Sequence, residues 1–305
     1  TQRTSSAASD VYKRQIEILT DQSELTMELT GKSISFIEKN KDNPFFLYLA
    51  HPQPHVPLFA SSKFRGRSDH GLYTDVIEEI DHSLGLIMET LKKNNLDKNT
   101  VVVFTSDNGP WLSYGGHAGS TGIYREGKGT TWEGGQRVPC IVWYPNEIKP
   151  NSVIKTPLMG IDWLPTFAKI TNASLSENKI DGKNIWENLT GKTDSDPHEA
   201  LFFYYHKNSL HGVRYGDYKM YFPHRYRTLN GKIGRNDGTP IKYEYVDLKE
   251  NELYNLKTDP SETKNILNEF PEIVKKINAL ADNKRKEIGD DLTNVVGLEN
   301  REVGM

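Results

Sequence analysis

Val101-Val102-Val103-Phe104-Thr105 runs without a polar break into Ser106-Asp107-Asn108-Gly109. A continuous β-branched and aromatic run bounded by a turn predicts a strand buried on both faces of a parallel sheet. Upstream, Tyr73, Val76, Ile77, Ile80, Leu84, Ile87, Met88 and Leu91 recur at three- and four-residue steps, giving one apolar stripe on a helix over 69–95. Lys92 and Lys93 in its last turn suit the helix dipole. Phe45-Phe46-Leu47-Tyr48-Leu49-Ala50 reads as a second buried strand, after a helix over 21–40. Both apolar runs are expected to be almost fully buried. Downstream, a long glycine-rich loop over 110–137 leads to a third strand over 138–144 and a short helix over 158–170. Strand–helix–strand order implies an open α/β sheet, whose sites form at the carboxyl ends of the strands.

The composition turns polar near Asp196, which marks a domain boundary there. Short antiparallel strands are expected at 201–205, 212–215, 219–222 and 243–247, then a closing amphipathic helix over 270–288. Residues 1–15 (TQRTSSAASDVYKRQ) carry no periodicity and read as a non-native or disordered leader. The division is thus 1–15 leader, 16–196 larger domain and 197–305 smaller domain. The 305 residues allow a substantial core, and a net charge of −3 gives no field selecting nucleic acid or an anionic membrane. No apolar run approaches the roughly 20 residues of a membrane span. The single cysteine, Cys140, excludes an internal disulfide framework and reads as a small buried hydrophobe in its strand.

Three polar groups lie in or beside loops that follow buried strands. Asp107 and Asn108 offer hard oxygen ligands suited to Ca²⁺ or Mg²⁺ rather than Zn²⁺, although Asp-Asn-Gly is equally a good turn. His55 sits in His51-Pro52-Gln53-Pro54-His55-Val56-Pro57, where prolines stiffen the loop around an imidazole; a lone loop histidine is more often a plain surface residue. Lys128 sits in Gly127-Lys128-Gly129-Thr130-Thr131-Trp132-Glu133-Gly134-Gly135, where glycines let the backbone approach an anion. Its spacing is wrong for a phosphate-binding P-loop, and a mobile loop with a solvated lysine is the plain alternative. His117, His206, His211, His224 and Arg225 are weaker candidates, read as surface residues.

Taken together, these segments resemble the sulfatase family of the alkaline-phosphatase-like superfamily, in its arylsulfatase A-like branch. The matching phrases are 45–50 with His55-Val56-Pro57, Thr105-Ser106-Asp107-Asn108-Gly109, 127–135 with Arg137-Val138-Pro139, and Glu252-Leu253-Tyr254-Asn255-Leu256-Lys257-Thr258-Asp259-Pro260. The resemblance implies a central mixed or parallel sheet with helices on both faces, plus a smaller C-terminal α+β domain with an antiparallel sheet. It implies that Asp107 and Asn108 ligate Ca²⁺, with Mg²⁺ as second choice. His55 then contacts the sulfate ester and protonates the leaving oxygen, and Lys128 binds the ester.

The family's nucleophile is a formylglycine in a Cys/Ser-x-Pro/Ala-x-Arg motif, which this sequence does not contain. The expectation is therefore of an N-terminally truncated, inactive chain whose nucleophile and first metal-binding aspartates lie upstream. The partner implied is a sulfated small molecule or sulfated glycan, and the setting periplasmic or secreted. A phosphatase or phosphodiesterase of the same superfamily, or a non-catalytic binder of sulfated glycans, are the alternatives.

Overall fold

A computed structural model describes residues 21–300; the leader assigned to 1–15 lies outside the described residues. The chain forms two compact units, one of 1–100 with 113–119 and 233–241, the other of 101–112 with 120–232 and 242–305.

In the first unit, helix α1 (Leu25–Asn40) lies against α2 (Leu72–Lys93). The buried stripe of α2 is Val76, Ile80, Ile87 and Leu91, as the periodicity requires. Between the helices the contact is polar, with Thr30 Oγ1 and Ser83 Oγ 2.5 Å apart. Two buried carboxylates on α2 capture the preceding loop. Asp75 accepts from the amides of Gly66 and Ser68, each at 2.8 Å, and Glu79 accepts from that of Ser61 at 2.9 Å. The chain leaves α2 through Asn95 at φ 57°, a left-handed position that Asn tolerates.

The run 44–50 forms neither strand nor helix and pairs with no strand among the described residues. Its side chains alternate, and Phe46 and Tyr48 are 72% and 81% exposed. Among the described residues the expected doubly buried strand is not formed.

In the second unit, β1 (Val102–Thr105) pairs antiparallel with β2 (Cys140–Trp143), Val102 opposite Trp143 and Thr105 opposite Cys140. Between them in sequence lies the one-turn helix α3 (Glu133–Gln136). Helices α4 (Trp163–Thr171) and α5 (Trp186–Leu189) follow. Buried Ile185, Trp186 and Leu189 pack on Val101, Val142 and Tyr144, so one face of the ladder is covered. The alternate residues Ile141 and Trp143 are 64% and 44% exposed, and Cys140 is exposed too. On β1 itself Val102, Val103 and Phe104 are only partly covered, so the near-complete burial expected of 101–104, and the buried place expected of Cys140, are not found among the described residues.

Beyond residue 200 the chain builds the antiparallel sheet β3-β4-β5-β8 from Leu201–Tyr205, Ser209–Tyr215, Tyr218–Tyr221 and Glu252–Asn255. Leu210, Val213, Met220 and Leu253 on this sheet meet Ile277 and Ala281 of α6 (Pro271–Ile288), all of them inaccessible to solvent. Residues 277 and 281, one helical turn apart, are the only fully inward positions of α6 among those described. A separate ladder joins β6 (His224–Thr228) to β7 (Glu244–Leu248). The α/β class and the C-terminal antiparallel sheet are as expected. All described strand pairs are antiparallel; the parallel partners expected for β1 are not among them.

Candidate active site

β1 ends at Thr105, and the chain turns through Asp107 and Asn108 into Gly109. The Asp107 carboxyl is exposed. Asn108 donates its Nδ2 to the Gly109 carbonyl at 2.9 Å, so its amide oxygen is the atom left to accept or to ligate. Glycine at 109 is required by approach: a Cβ there would lie 1.9 Å from the Gly134 carbonyl oxygen. The two segments are also stitched, Gly109 N donating to Gly135 O at 3.1 Å and Lys128 N to Pro110 O at 2.9 Å. The sequence thus brings Lys128 to the strand end that carries Asp107 and Asn108.

Lys128 is half-buried, with its Nζ 5.2 Å from the centre of the Trp111 ring. Its carbonyl accepts from Arg227, through Nε at 3.2 Å and through Nη2. Gly129 follows at φ 89°, where a Cβ would fall 2.2 Å from the same guanidinium. The loop is therefore not mobile in the way a glycine count suggests. Trp132, wholly buried, carries the Arg125 guanidinium 3.6 Å from its ring centre and packs on Tyr221 and Tyr254. Arg125 in turn donates to the Tyr226 and Tyr254 hydroxyls and to the Glu262 carbonyl.

Beneath them lies a buried charge network. Lys219 Nζ donates to Glu133 Oε1 and to the Thr131 carbonyl, each at 2.7 Å. Arg137 Nε donates to Glu133 Oε2 at 2.7 Å. Glu262 accepts from the Glu133 amide at 2.9 Å and from the Tyr221 hydroxyl. Burial alone would push the Glu133 carboxyl up; the Lys219 ammonium, with Arg137 behind it, overrides this and holds it below the usual range. Burial dominates at Glu262 and raises it. Nothing in the sequence alone distinguished Lys219 from a solvated lysine, apart from its place among alternating residues of a predicted strand.

His55 belongs to the first unit, and the second holds Asp107, Asn108 and Lys128. It is exposed, and its Nδ1 pairs with the Val56 carbonyl at 2.8 Å, so Nδ1 carries the proton in the neutral ring. Buried Gln53 braces the loop, donating to Pro57 O at 3.3 Å and accepting from Phe59 N at 3.4 Å. His51, without a family role, is not a bystander: its Nε2 pairs with Ser83 Oγ at 3.3 Å, and burial lowers its pKa.

His211 and His224 are 3% and 5% exposed and stack at 3.9 Å between ring centres. They are not the surface residues expected. The strand is buried at five consecutive positions, Ser209 to Val213, so no alternation marked His211 as inward. His206 and exposed Arg225 stand near them, and His117 lies in the first unit beside Gly238.

As a cation site, the strand end fits in chemistry and falls short in number. Asp107 and Asn108 supply two or three hard oxygens, where Ca²⁺ takes about six to eight. Among the described residues no group of three or more His, Cys, Asp or Glu converges to hold a metal.

Comparison with known proteins places the whole chain. A family model described as Sulfatase matches residues 3–173, and one described as the C-terminal region of aryl-sulfatase matches 196–301. Steryl-sulfatase of Rattus norvegicus is 40% identical over 191 residues, 61% of this chain and 33% of the relative. An arylsulfatase of Hemicentrotus pulcherrimus is 34% identical over 252 residues, 78% of this chain and 45% of the relative. A solved sulfatase from a Bacteroides thetaiotaomicron locus described as metabolising multiple glycosaminoglycans superposes with a TM-score of 0.74 at 30% identity, covering 90% of this chain and 57% of that one. The chain thus spans about a third to a half of the length of the curated relatives it matches.

Proposed function

The chain belongs to the sulfatase family, and from that premise we propose that it carries the ester-binding and part of the metal-binding apparatus of a sulfuric ester hydrolase. One observation carries this reading. Hydrogen bonds from Lys128 N to Pro110 O and from Gly109 N to Gly135 O hold an ammonium and a pair of hard oxygen donors at one strand end. A sulfate ester needs both: positive charge against its oxygens, and a Lewis acid beside them. Asp107 and Asn108 would hold Ca²⁺, completed by ligands outside these two residues; when bound, it would polarise the ester and stabilise developing negative charge. Lys128 neutralises a sulfate oxygen. His55, its Nδ1–H committed to Val56, would protonate the leaving oxygen from Nε2 once charged.

Nucleophilic attack belongs in this reading to a formylglycine outside the 305 residues, since they hold no Cys/Ser-x-Pro/Ala-x-Arg motif. The substrate class is a sulfated small molecule or glycan, and the setting periplasmic or secreted.

The test has two arms. This polypeptide alone is expected to bind an aryl sulfate without turning it over; measurable release of nitrophenol would refute the assignment of attack to another segment. In a protein with the nucleophile segment in place, Lys128→Ala is expected to cut kcat about 100- to 1,000-fold, the usual cost of one preorganised donor. His55→Ala should cost a similar factor on alkyl sulfates and less on nitrophenyl sulfate, whose leaving group departs unprotonated. A Lys128→Ala loss below about three-fold would sink the reading, being far short of a preorganised charge.

A further inference from the structure

Lys128 is held at its amide, its carbonyl and its ammonium by three different groups. The amide donates to the Pro110 carbonyl at 2.9 Å. Glycine at 127 lets the two segments touch, since a Cβ there would lie 2.5 Å from that same oxygen. The Lys128 carbonyl accepts from Arg227. Trp111 follows the Pro110 anchor directly, and its ring centre lies 5.2 Å from Lys128 Nζ. This is inside the roughly 6 Å over which a cation is drawn to an aromatic face. Arg227 closes the arrangement, its guanidinium 5.9 Å from the Trp111 ring centre and 4.4 Å from that of Tyr243.

Neither backbone bond fixes the ammonium, which sits at the end of a flexible four-carbon stem. A charge that stabilises a bound anion is most effective when it does not have to be gathered in as the ligand arrives. A carboxylate beside Lys128 would gather it in, but would also neutralise it and compete with the anion. The adjacent carboxylate, Glu126, instead accepts from the Thr228 hydroxyl at 2.6 Å. An indole attracts the ammonium through its quadrupole and leaves the full positive charge for an anion.

We propose that Trp111 is a positioning residue for Lys128, its indole face holding the ammonium at the strand end that carries Asp107 and Asn108. This rests on the sulfate-ester reading of Lys128 and adds to it a group that touches the lysine and not the reacting atoms. Trp111 lies outside the phrases 105–109 and 127–135 that carry the family resemblance, so its role belongs to this chain's own sequence.

The full 305-residue chain is labelled with ¹³C at the lysine ε-carbons, and phenyl sulfate is the probe. In the unliganded chain the ring current of the indole is expected to place the Lys128 ε-methylene protons upfield of an exposed lysine's. Trp111→Leu, which keeps bulk and loses the aromatic face, should return them to the ordinary position. The same change is expected to weaken phenyl sulfate about three-fold, the size of one solvent-accessible cation–π contact. Trp111→Phe should recover most of that loss. In a Lys128→Ala background Trp111→Leu should cost nothing further, a coupling that neither a merely structural role nor direct contact with the ligand would produce. Should Trp111→Leu fail to fold, the parent's Lys128 signals decide. Lys128 ε-methylene signals at the ordinary position overturn the proposal, as does a three-fold loss that survives in the Lys128→Ala background. Lys128→Ala also separates the two readings. If it leaves phenyl sulfate binding unchanged, the ester site is struck and the role of Trp111 with it; if it weakens binding while Trp111→Leu does not, only the role of Trp111 is struck.

Discussion

The loops carrying Lys128 and His55 are held in opposite ways. Residues 51–57 are stiffened by three prolines and braced by neutral hydrogen bonds from Gln53 and His51. The loop 125–137 has no proline and gets its shape from charge: buried Lys219 and Glu262 grip its own Glu133, Arg137 pairs with Glu133, and Arg125 and Arg227 tie it to the strands beside it. Proline restricts the chain before folding, so such a loop needs little help afterwards. Glycine leaves the unfolded chain free, and the folded loop must be fixed by strong contacts made elsewhere. A glycine-rich loop with a fixed lysine therefore implies a costly network beside it.

Removing one partner from that network should have the largest effect. Lys219→Met leaves Glu133 buried without its ammonium and is expected to cost about 3–5 kcal/mol, read as a fall in Tm and in the urea midpoint. A loss under about 1 kcal/mol would mean the charges do not hold the loop. Gly129→Ala comes next, at about 1–3 kcal/mol, because it combines a left-handed φ with a collision against Arg227. Weaker sulfate-ester binding should accompany it, since the Arg227 bonds to the Lys128 carbonyl must shift; unchanged affinity would detach the lysine from its loop.

The pH dependence sharpens the contrast further. Glu133 has a depressed pKa in the folded state, so its contribution is complete above about 4.5 and is lost as pH falls through the lower folded value. Glu133→Gln should be less stable at pH 7, with a flatter fall of Tm below pH 4.5 than the parent. Glu262, with a raised pKa, works in the other direction: its contribution is present below about 4.5 and is lost as pH rises through its folded value. The smallest effect belongs to the proline loop. His51→Ala is expected to cost about 1 kcal/mol through its bond to Ser83, measured by thermal melting.

What the sequence disclosed follows from what its patterns encode. The long helices were legible because Val76, Ile80, Ile87 and Leu91 repeat with the helical period and bury one face. Asp107, Asn108 and Lys128 each gave a weak signal alone and became a set only through the family resemblance; the structure adds backbone bonds that tie the Lys128 segment to the strand end. The run 45–50 and the strand Val102–Thr105 were expected to be almost fully buried, and among the described residues they are only partly so. Hydrophobicity shows what would be buried if a cover were present, and does not say that one is. Lys219, Glu133 and His211 were passed over for the converse reason: a charged or imidazole side chain reads as solvated until its partners, about 85–90 residues away for Lys219, fold around it.

The box around Trp132 has an optical consequence. This indole is fully buried, lies 4.0 Å from the Tyr221 ring and has a guanidinium 3.6 Å from its own. Fixed and asymmetrically surrounded, it should give a sharp near-ultraviolet circular dichroism band, and loosening of the loop would erase that band before the far-ultraviolet signal of the sheet is lost. Trp132 is a native reporter of whether the Lys128 loop is seated, readable without any added label.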